Sequence, residues 1–127
     1  MPKFKIHFTL EEARAALPVL RQILEDSRRC QQRIQEAGEK LNEMQDHTGG
    51  DSGGELVNRT MRDLLHLNGQ VRRIQEMGIQ IKDFDRGLVD FPHLREGQEV
   101  FLCWELDEED IEFWHDLDSG YAGRERL

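Results

Sequence analysis

The spacing of the apolar residues changes at Gly78, and this change most constrains the fold. Before Gly78 they recur every three or four residues, as on one face of an α-helix. After it they alternate with polar residues, as in β-strands with one buried face. A chain of 127 residues is long enough to bury one sizeable core. The sequence therefore predicts a single α+β domain over residues 1–127, with a helical part at 1–78 and a β module at 79–127.

The helical part is expected to begin with a short strand at 4–8, where apolar and polar residues alternate. Thr9 and Glu12 then have the spacing of a capping box, so a helix begins there. Pro18 lies too deep in this helix to be a first-turn proline and predicts a kink or a restart near Leu17. The apolar seam continues to about Asp46 with the three-four spacing of a coiled coil.

Residues 47–54 include four glycines and predict a mobile, dispensable connector. A second helix follows to about Met77, with Gly78 as its C-cap. Two long helices joined by a short loop predict a long, kinked, antiparallel helical hairpin. The apolar residues of the second helix cover about half of its circumference, more than one partner helix can bury. We therefore expect the helix to meet the sheet, another subunit or both, which predicts a homo-oligomer.

The β module is expected to be a small antiparallel meander packed with the hairpin. Strands are predicted at 79–82, at 88–91 with Pro92 ending the strand, at 99–106 and at 111–115. Turns are predicted at 85–87, 95–98 and 107–110. Residues 116–127 show little periodicity and resemble a tail. In the third strand, Val100, Leu102 and Trp104 share one face, and Phe101 and Cys103 share the other.

The charge of the chain is concentrated in the β module. Residues 1–78 carry 12 basic and 12 acidic residues, whereas residues 79–127 carry the whole net charge of −9. This argues against binding to nucleic acid or to an anionic membrane, both of which require clustered Lys and Arg. It favours a cation or a basic protein as partner, or a role in solubility alone, and a small-molecule ligand is a further possibility. Seven of the nine aromatic residues also lie beyond residue 78, so any binding site is expected there.

The sequence predicts a cytoplasmic protein. No apolar run approaches the roughly 20 residues of a membrane helix, and no secretory signal segment opens the chain. Cys30 and Cys103 are far apart without a CxxC pairing, so we expect each to be a small buried residue rather than a zinc ligand or half of a disulfide.

A set of carboxylates with one histidine forms the first candidate site. Oxygen donors suit Mg²⁺, Mn²⁺ or Ca²⁺, and one imidazole shifts the preference toward Mn²⁺, Fe²⁺ or Zn²⁺. The predicted ligands of this divalent metal are Asp83, Asp85, Asp90, His115 and Asp116. Under the alternative interpretation, Asp85 and Asp90 are turn and bend residues and His115 forms a hydrogen bond in the core.

Two further candidate sites lie in the same module. Trp104, Trp114, Tyr121 and Arg124 are candidate ligand-binding residues, because aromatic rings can line a pocket and a glycine-flanked backbone followed by an arginine can bind a carboxylate or phosphate. The alternative is that the tryptophans belong to the core and that Arg124 pairs with a nearby carboxylate. A nucleophile–base pair of Cys103 and His115 is disfavoured, because acidic surroundings raise the pKa of a thiol.

Several stretches of the chain resemble a known family. They include Asp85-Arg86-Gly87-Leu88-Val89-Asp90-Phe91-Pro92, Phe101-Leu102-Cys103-Trp104 and Phe113 to Arg124, together with the opening Phe8-Thr9-Leu10-Glu11-Glu12-Ala13. In this order they resemble the family named domain of unknown function 2203, over nearly the whole chain. The resemblance implies a prokaryotic cytosolic protein and carries no activity.

Two functions of different classes remain open. The leading hypothesis is a non-enzymatic binding or assembly module that self-associates through its helices. The alternative is a divalent-metal-dependent, hydrolase-like enzyme with its carboxylate and histidine site in the β module. An enzyme would have to bring these groups within coordinating distance around a cavity.

Overall fold

A computed structural model describes residues 1–45 and 52–127 of the chain. Within these residues there are two helices, α1 (Leu10–Gln45) and α2 (Ser52–Glu76), followed by five strands. The strands are β1 (Gln80–Asp83), β2 (Leu88–Arg95), β3 (Gln98–Glu105), β4 (Phe113–Asp116) and β5 (Glu125–Arg126). They pair antiparallel in chain order. The predicted α+β fold is confirmed.

The start of α1 is fixed by the capping box. The Thr9 amide donates to the Glu12 carboxylate at 2.8 Å, and the Glu12 amide donates to the Thr9 hydroxyl at 3.0 Å. The helix then continues through Pro18 without interruption, so the predicted restart near Leu17 is wrong. Leu17 and Leu20 are buried in the core on either side of Pro18. Their burial holds this turn helical against the ~3 kcal/mol that a proline costs inside a helix.

The second helix begins earlier than the glycine content suggests. Because α2 starts at Ser52, the predicted connector over 47–54 is wrong for residues 52–54, and residues 47–51 lie outside the described part of the chain. At the other end, the Gly78 amide donates to the Gln75 carbonyl and the Ile79 amide donates to the Ile74 carbonyl. Gly78 has a φ of 89°. These bonds form a Schellman motif, so the predicted role of Gly78 is confirmed.

Polar contacts join α1 and α2 into an antiparallel hairpin. The Gln70 amide donates to Asp26 at 2.7 Å, and the Arg33 guanidinium contacts Asp63 at 3.2 Å. The Cys30 thiol donates to the Asp63 carbonyl at 3.0 Å. Later residues of α1 thus meet earlier residues of α2, as expected of two helices that fold back on each other.

Helices and sheet share the main core. Val89, Phe91, Leu102 and Trp104 line the sheet face that packs on the helices. The helical members of this core are Ala13, Leu17, Leu20, Ile23, Leu24 and Ile74. They come from the first half of α1 and the last turn of α2, so the hairpin attaches to the sheet at one end.

Pro92 lies within β2 of the β2–β3 hairpin, so the prediction that it ends the strand is wrong. Pro92 pairs with Phe101, and β2 continues to Arg95. The β1–β2 ladder stops at the pair Gln80 and Asp90, so beyond it no β1 residue requires an amide donor from β2. The Pro92 carbonyl accepts instead from the Phe8 amide at 2.7 Å. A proline is tolerated where its missing N–H faces no neighbouring strand.

The segment before α1 is not the strand predicted at 4–8. The Glu99 carboxylate accepts from the Lys3 and Phe4 amides at 2.7 and 3.0 Å. The Phe4 ring lies 5.3 Å from the ring of Phe101, and Phe8 packs on Phe91 at the same distance. The Glu99 side chain and the Pro92 carbonyl therefore accept from amides at the two ends of the predicted strand, while the aromatic residues still pack on the sheet.

The fourth strand begins at Phe113, two residues later than predicted, because the residues before it interact with α1. The Arg14 guanidinium donates to the Ile111 carbonyl at 2.9 Å, and Arg21 donates to the Glu108 carbonyl at 2.9 Å. The tail predicted at 116–127 instead contains a 3₁₀ turn, Tyr121–Gly123, and the short strand β5.

Candidate functional site

Three buried side chains meet on the sheet face that points away from the helices. Asp90 on β2 pairs directly with Cys103 on β3, and Phe101 pairs with His115 on β4. Asp90, Cys103 and His115 therefore point to the same side of three adjacent strands. One donor atom from each lies within 4.8 Å of the other two. We call these three residues the Asp-Cys-His cluster.

The position of His115 is fixed from both ends of its ring. Nδ1 lies 2.7 Å from the main-chain carbonyl oxygen of Asp116, and Nε2 lies 3.0 Å from both carboxylate oxygens of Asp90. A carbonyl oxygen only accepts, so Nδ1 must carry a hydrogen. Nε2 is thus the ring nitrogen directed at the carboxylate.

Burial dominates the electrostatics of the cluster. All three side chains are 1–2% exposed. Desolvation raises the pKa of the Asp90 carboxyl, and the nearby His115 opposes this shift. Desolvation also raises the pKa of the Cys103 thiol to about 12, with a contribution from Asp90. Cys103 is therefore a thiol near neutral pH, and a thiol is a poor nucleophile.

The cluster lies at the wall of a cleft of about 330 Å³. The rest of the lining consists of Lys82, Asp83, Leu88, Phe101, Leu117, Asp118, Gly120 and Tyr121. The Lys82 ammonium lies 4.9 Å above the Phe101 ring. The cleft therefore combines buried donors with an apolar ring and charged residues of both signs.

A stack of rings and guanidinium groups lies beside the cleft. Arg86 lies 4.3 Å and Arg124 4.7 Å from the Tyr121 ring, and Arg124 also lies 4.0 Å from the Phe113 ring. Arg124 contacts Glu108 at 2.7 Å, the carboxylate pairing named above as the alternative. Of the four candidate ligand-binding residues, Tyr121 lines the cleft. Arg124 contacts the Tyr121 ring and so helps to fix its position.

The two tryptophans of that candidate set lie elsewhere. Trp104 is fully buried in the helix–sheet core, where its indole N–H donates to the Glu108 carbonyl at 3.0 Å. Trp114 packs against the same core, with Arg95 4.4 Å above its ring. Neither contributes to the lining of the cleft.

The five predicted metal ligands do not come together. Asp90 and His115 meet, whereas the Asp85 carboxylate accepts from Gln31 of α1. The Asp116 carboxylate is exposed and accepts from the amides of residues 118 and 119. Asp83 lines the cleft, and its carboxylate accepts from the Arg86 amide at 3.3 Å. Asp83 and Asp116 thus serve turns, and Asp90 lies in a strand rather than at the expected bend.

Cys103 is the member of the cluster that was not included in the predicted metal set. Its place opposite Leu102 and Trp104 on β3 was visible in the alternation of that strand. The alternation does not predict the register of β2 on β3, and this register places Cys103 directly across from Asp90. An aspartate, a cysteine and a histidine on one face are a donor set that can hold a metal ion or form a hydrogen-bonded cluster.

The fold and this cluster define an α+β protein in which a helical hairpin covers one face of a five-stranded meander and a polar cluster occupies the other. The chain belongs to the family of uncharacterized conserved proteins DUF2203, which matches residues 6–127. The predicted family is confirmed. No curated protein and no solved structure matches the chain. Neither described helix has a stretch apolar enough to cross a membrane.

Proposed function

We propose that this protein is a cytoplasmic assembly module that forms a homodimer through α2. The observation that carries the proposal is an exposed apolar stripe on this helix. Val57, Met61, Leu64 and Leu65 follow helical spacing on one face and are 42–65% exposed. Side chains four and seven residues apart lie on the same face of a helix. We call these four residues the α2 stripe.

The contacts of α2 with α1 involve other residues than this stripe. Asp63 and Gln70 of α2 form hydrogen bonds with Cys30 and Asp26 of α1, and Ile74 is buried in the core. The α2 stripe lies on another side of the helix, which α1 does not cover. Apolar residues that cluster on a soluble surface are typical of association sites.

The outer half of the hairpin has few partners of its own. The α1 members of the main core end at Leu24, so the helices beyond the sheet rely on each other. A groove of about 380 Å³ lies between them there, lined by Ala37, Leu56 and Thr60 and by six charged residues of both signs. A second hairpin packed on the α2 stripe would complete a four-helix arrangement, the usual way for long hairpins to bury their apolar faces.

Charge favours a second copy of this chain as the occupant. Residues 1–78 are electrically neutral overall, and the net charge of −9 belongs to residues 79–127. Two hairpins can therefore approach without net repulsion, while the acidic β modules remain at the outside of the dimer. The two free, buried cysteines are typical of a reducing compartment.

Sedimentation equilibrium at micromolar concentration tests this proposal. We expect the wild type to have twice its chain mass of 14.9 kDa and the Leu65→Glu variant to be a monomer with unchanged helix content. Leu94→Glu is the matched control, since Leu94 is an exposed leucine on β2. A monomeric wild type, or equal loss of the dimer in both variants, would contradict the proposal.

The metal-dependent hydrolase remains a second candidate, and one observation favours it. Asp90 and His115 meet at the wall of a cleft, as an enzyme of this class requires. Its test is hydrolysis of p-nitrophenyl esters and phosphates by the zinc-loaded protein. Activity that is removed by a chelator and by His115→Gln would support it. Activity that survives both would refute it.

A further inference from the structure

The chemistry of the Asp-Cys-His cluster points to a specific class of ligand. We propose that Asp90, Cys103 and His115 bind one divalent transition metal ion, with Zn²⁺ preferred over Mg²⁺ and Ca²⁺. The inference is independent of the dimer proposed above. A thiolate and an imidazole are donors for zinc, cobalt and iron, whereas Mg²⁺ and Ca²⁺ require oxygen ligands throughout. The donor set thus differs from the oxygen-rich one predicted from the sequence.

His115 has the orientation of a metal-binding histidine. Its Nδ1–H donates to the Asp116 carbonyl at 2.7 Å, and its Nε2 faces Asp90. In metalloproteins the second ring N–H of a ligand is usually held by a carbonyl or carboxylate in this way, which fixes the tautomer and the ring direction. The strand pairing of Phe101 with His115 adds a second constraint on the ring, because the two rings lie 5.5 Å apart.

The charges of the site balance when the ion is bound. One carboxylate and one thiolate neutralise a divalent cation, and the imidazole is then neutral. A buried site of zero net charge avoids the large desolvation cost of an unpaired ion. Without the ion, one proton lies on the thiol and another joins Nε2 to the carboxylate. Binding of the ion therefore releases about two protons to solvent, since metal ligands must be deprotonated.

The cleft gives the ion a path to solvent. Three protein donors leave one position of a tetrahedral ion open, as in catalytic zinc sites. The cleft of about 330 Å³ reaches all three donors, and Asp83 and Asp118 line it as well. These carboxylates lower the electrostatic cost of cation entry that Lys82, also in the lining, would otherwise raise.

Cobalt titration of the Cys30→Ser variant tests the proposal. Cys30 is buried in the hairpin, where its Sγ lies 3.0 Å from the Asp63 carbonyl oxygen, and a serine can keep this hydrogen bond. Because Cys103 is then the remaining thiol, any thiolate-to-cobalt charge-transfer absorption must come from it. We expect this absorption to saturate at one equivalent of Co²⁺. Zn²⁺ should remove it, and Mg²⁺ should leave it unchanged.

Three further measurements complete the test. Wild type should give the same absorption, Cys103→Ala should give none, and His115→Gln should bind cobalt at least about tenfold more weakly. Weakly buffered titration should show the release of protons. A folded Cys30→Ser variant or wild type without the absorption, or an absorption that survives in Cys103→Ala, would overturn the proposal. None of these variants alters the α2 stripe, so sedimentation separates failure here from failure of the dimer.

Discussion

The Nε2 of His115 lies 3.0 Å from both carboxylate oxygens of Asp90, across the intervening strand β3. Both side chains are buried. The interaction therefore joins β2 to β4 over a strand that lies between them. Neither partner has access to enough water to replace the other, so loss of one leaves the second without its hydrogen bond.

Asp90→Ala should lower the free energy of unfolding of the metal-free protein by about 1–3 kcal/mol, because the mutation leaves the buried Nε2 of His115 unsatisfied. Urea denaturation in the presence of a chelator measures this change. Asp118→Ala is the control, since Asp118 is exposed in the same cleft region. It should change the free energy by less than about 0.5 kcal/mol. An Asp90→Ala variant as stable as wild type would show that repulsion, rather than hydrogen bonding, governs Asp90.

The attachment of the N-terminal segment to the sheet should depend on pH through Glu99. Hydrogen bonds from the Lys3 amide, from His7 and from the Phe4 amide lower the pKa of Glu99 from 4.5 to about 2. The folded protein binds this proton less tightly than the unfolded chain does. The stabilisation by Glu99 is therefore complete above pH 4.5 and is lost as the pH falls toward about 2.

The Phe4 amide signal in an NMR titration should follow this change, with a midpoint near pH 2. Glu99→Gln removes the titrating group and should abolish the transition. It should also speed hydrogen exchange at Phe4, since a neutral acceptor holds the amides less strongly. A midpoint near the ordinary glutamate value would contradict the contacts of Glu99 with this segment.

Gly87→Ala should be destabilising by about 2–4 kcal/mol. Gly87 has a φ of 66°, and a Cβ there would lie 2.6 Å from the Cβ of Leu106. Gly38→Ala is the matched control, because Gly38 lies within α1 with no atom near the added methyl group. It should stabilise the protein by about 0.5–1 kcal/mol. Thermal denaturation of both variants compares the two effects, and equal melting temperatures would refute the predicted difference.

The sequence predicts those parts of the fold that depend on local spacing. The capping box places the start of α1, and Gly78 places the end of α2 through its positive φ. Over the described residues, α1 is continuous from Leu10 to Gln45, as its apolar seam predicts. In each case the residues that decide the boundary lie within a few positions of it.

The predictions that fail depend on distant residues. Pro92 stays in β2 because the β1–β2 ladder has already stopped beside it. The segment at 4–8 is held by distant residues instead of pairing as a strand: Glu99, more than 90 positions away, accepts the Phe4 amide, and Pro92 accepts the Phe8 amide. Residues 52–54 belong to α2 although two of them are glycines, which local propensity places in a connector. Tertiary context overrides local propensity at these points.

The candidate site was likewise predictable only in the part that depends on local sequence. Its location in the acidic, aromatic-rich module could be predicted from composition. The choice of Asp90 among the many carboxylates could not, because it depends on strand register, which sets Asp90 across from Cys103 and two strands from His115. One residue of slip in that register would move Asp90 to the opposite face of the sheet.

The order of elements along the chain has a consequence for synthesis on the ribosome. The residues of α1 that line the core, from Ala13 to Leu24, are made long before the strands that cover them, and Trp104 and Ile111 come at least 80 residues later. During this interval the nascent hairpin presents its apolar face with no sheet to receive it, the situation in which chains become prone to aggregation. Substitutions that slow translation or weaken β3 should therefore reduce the yield of folded protein more than its final stability.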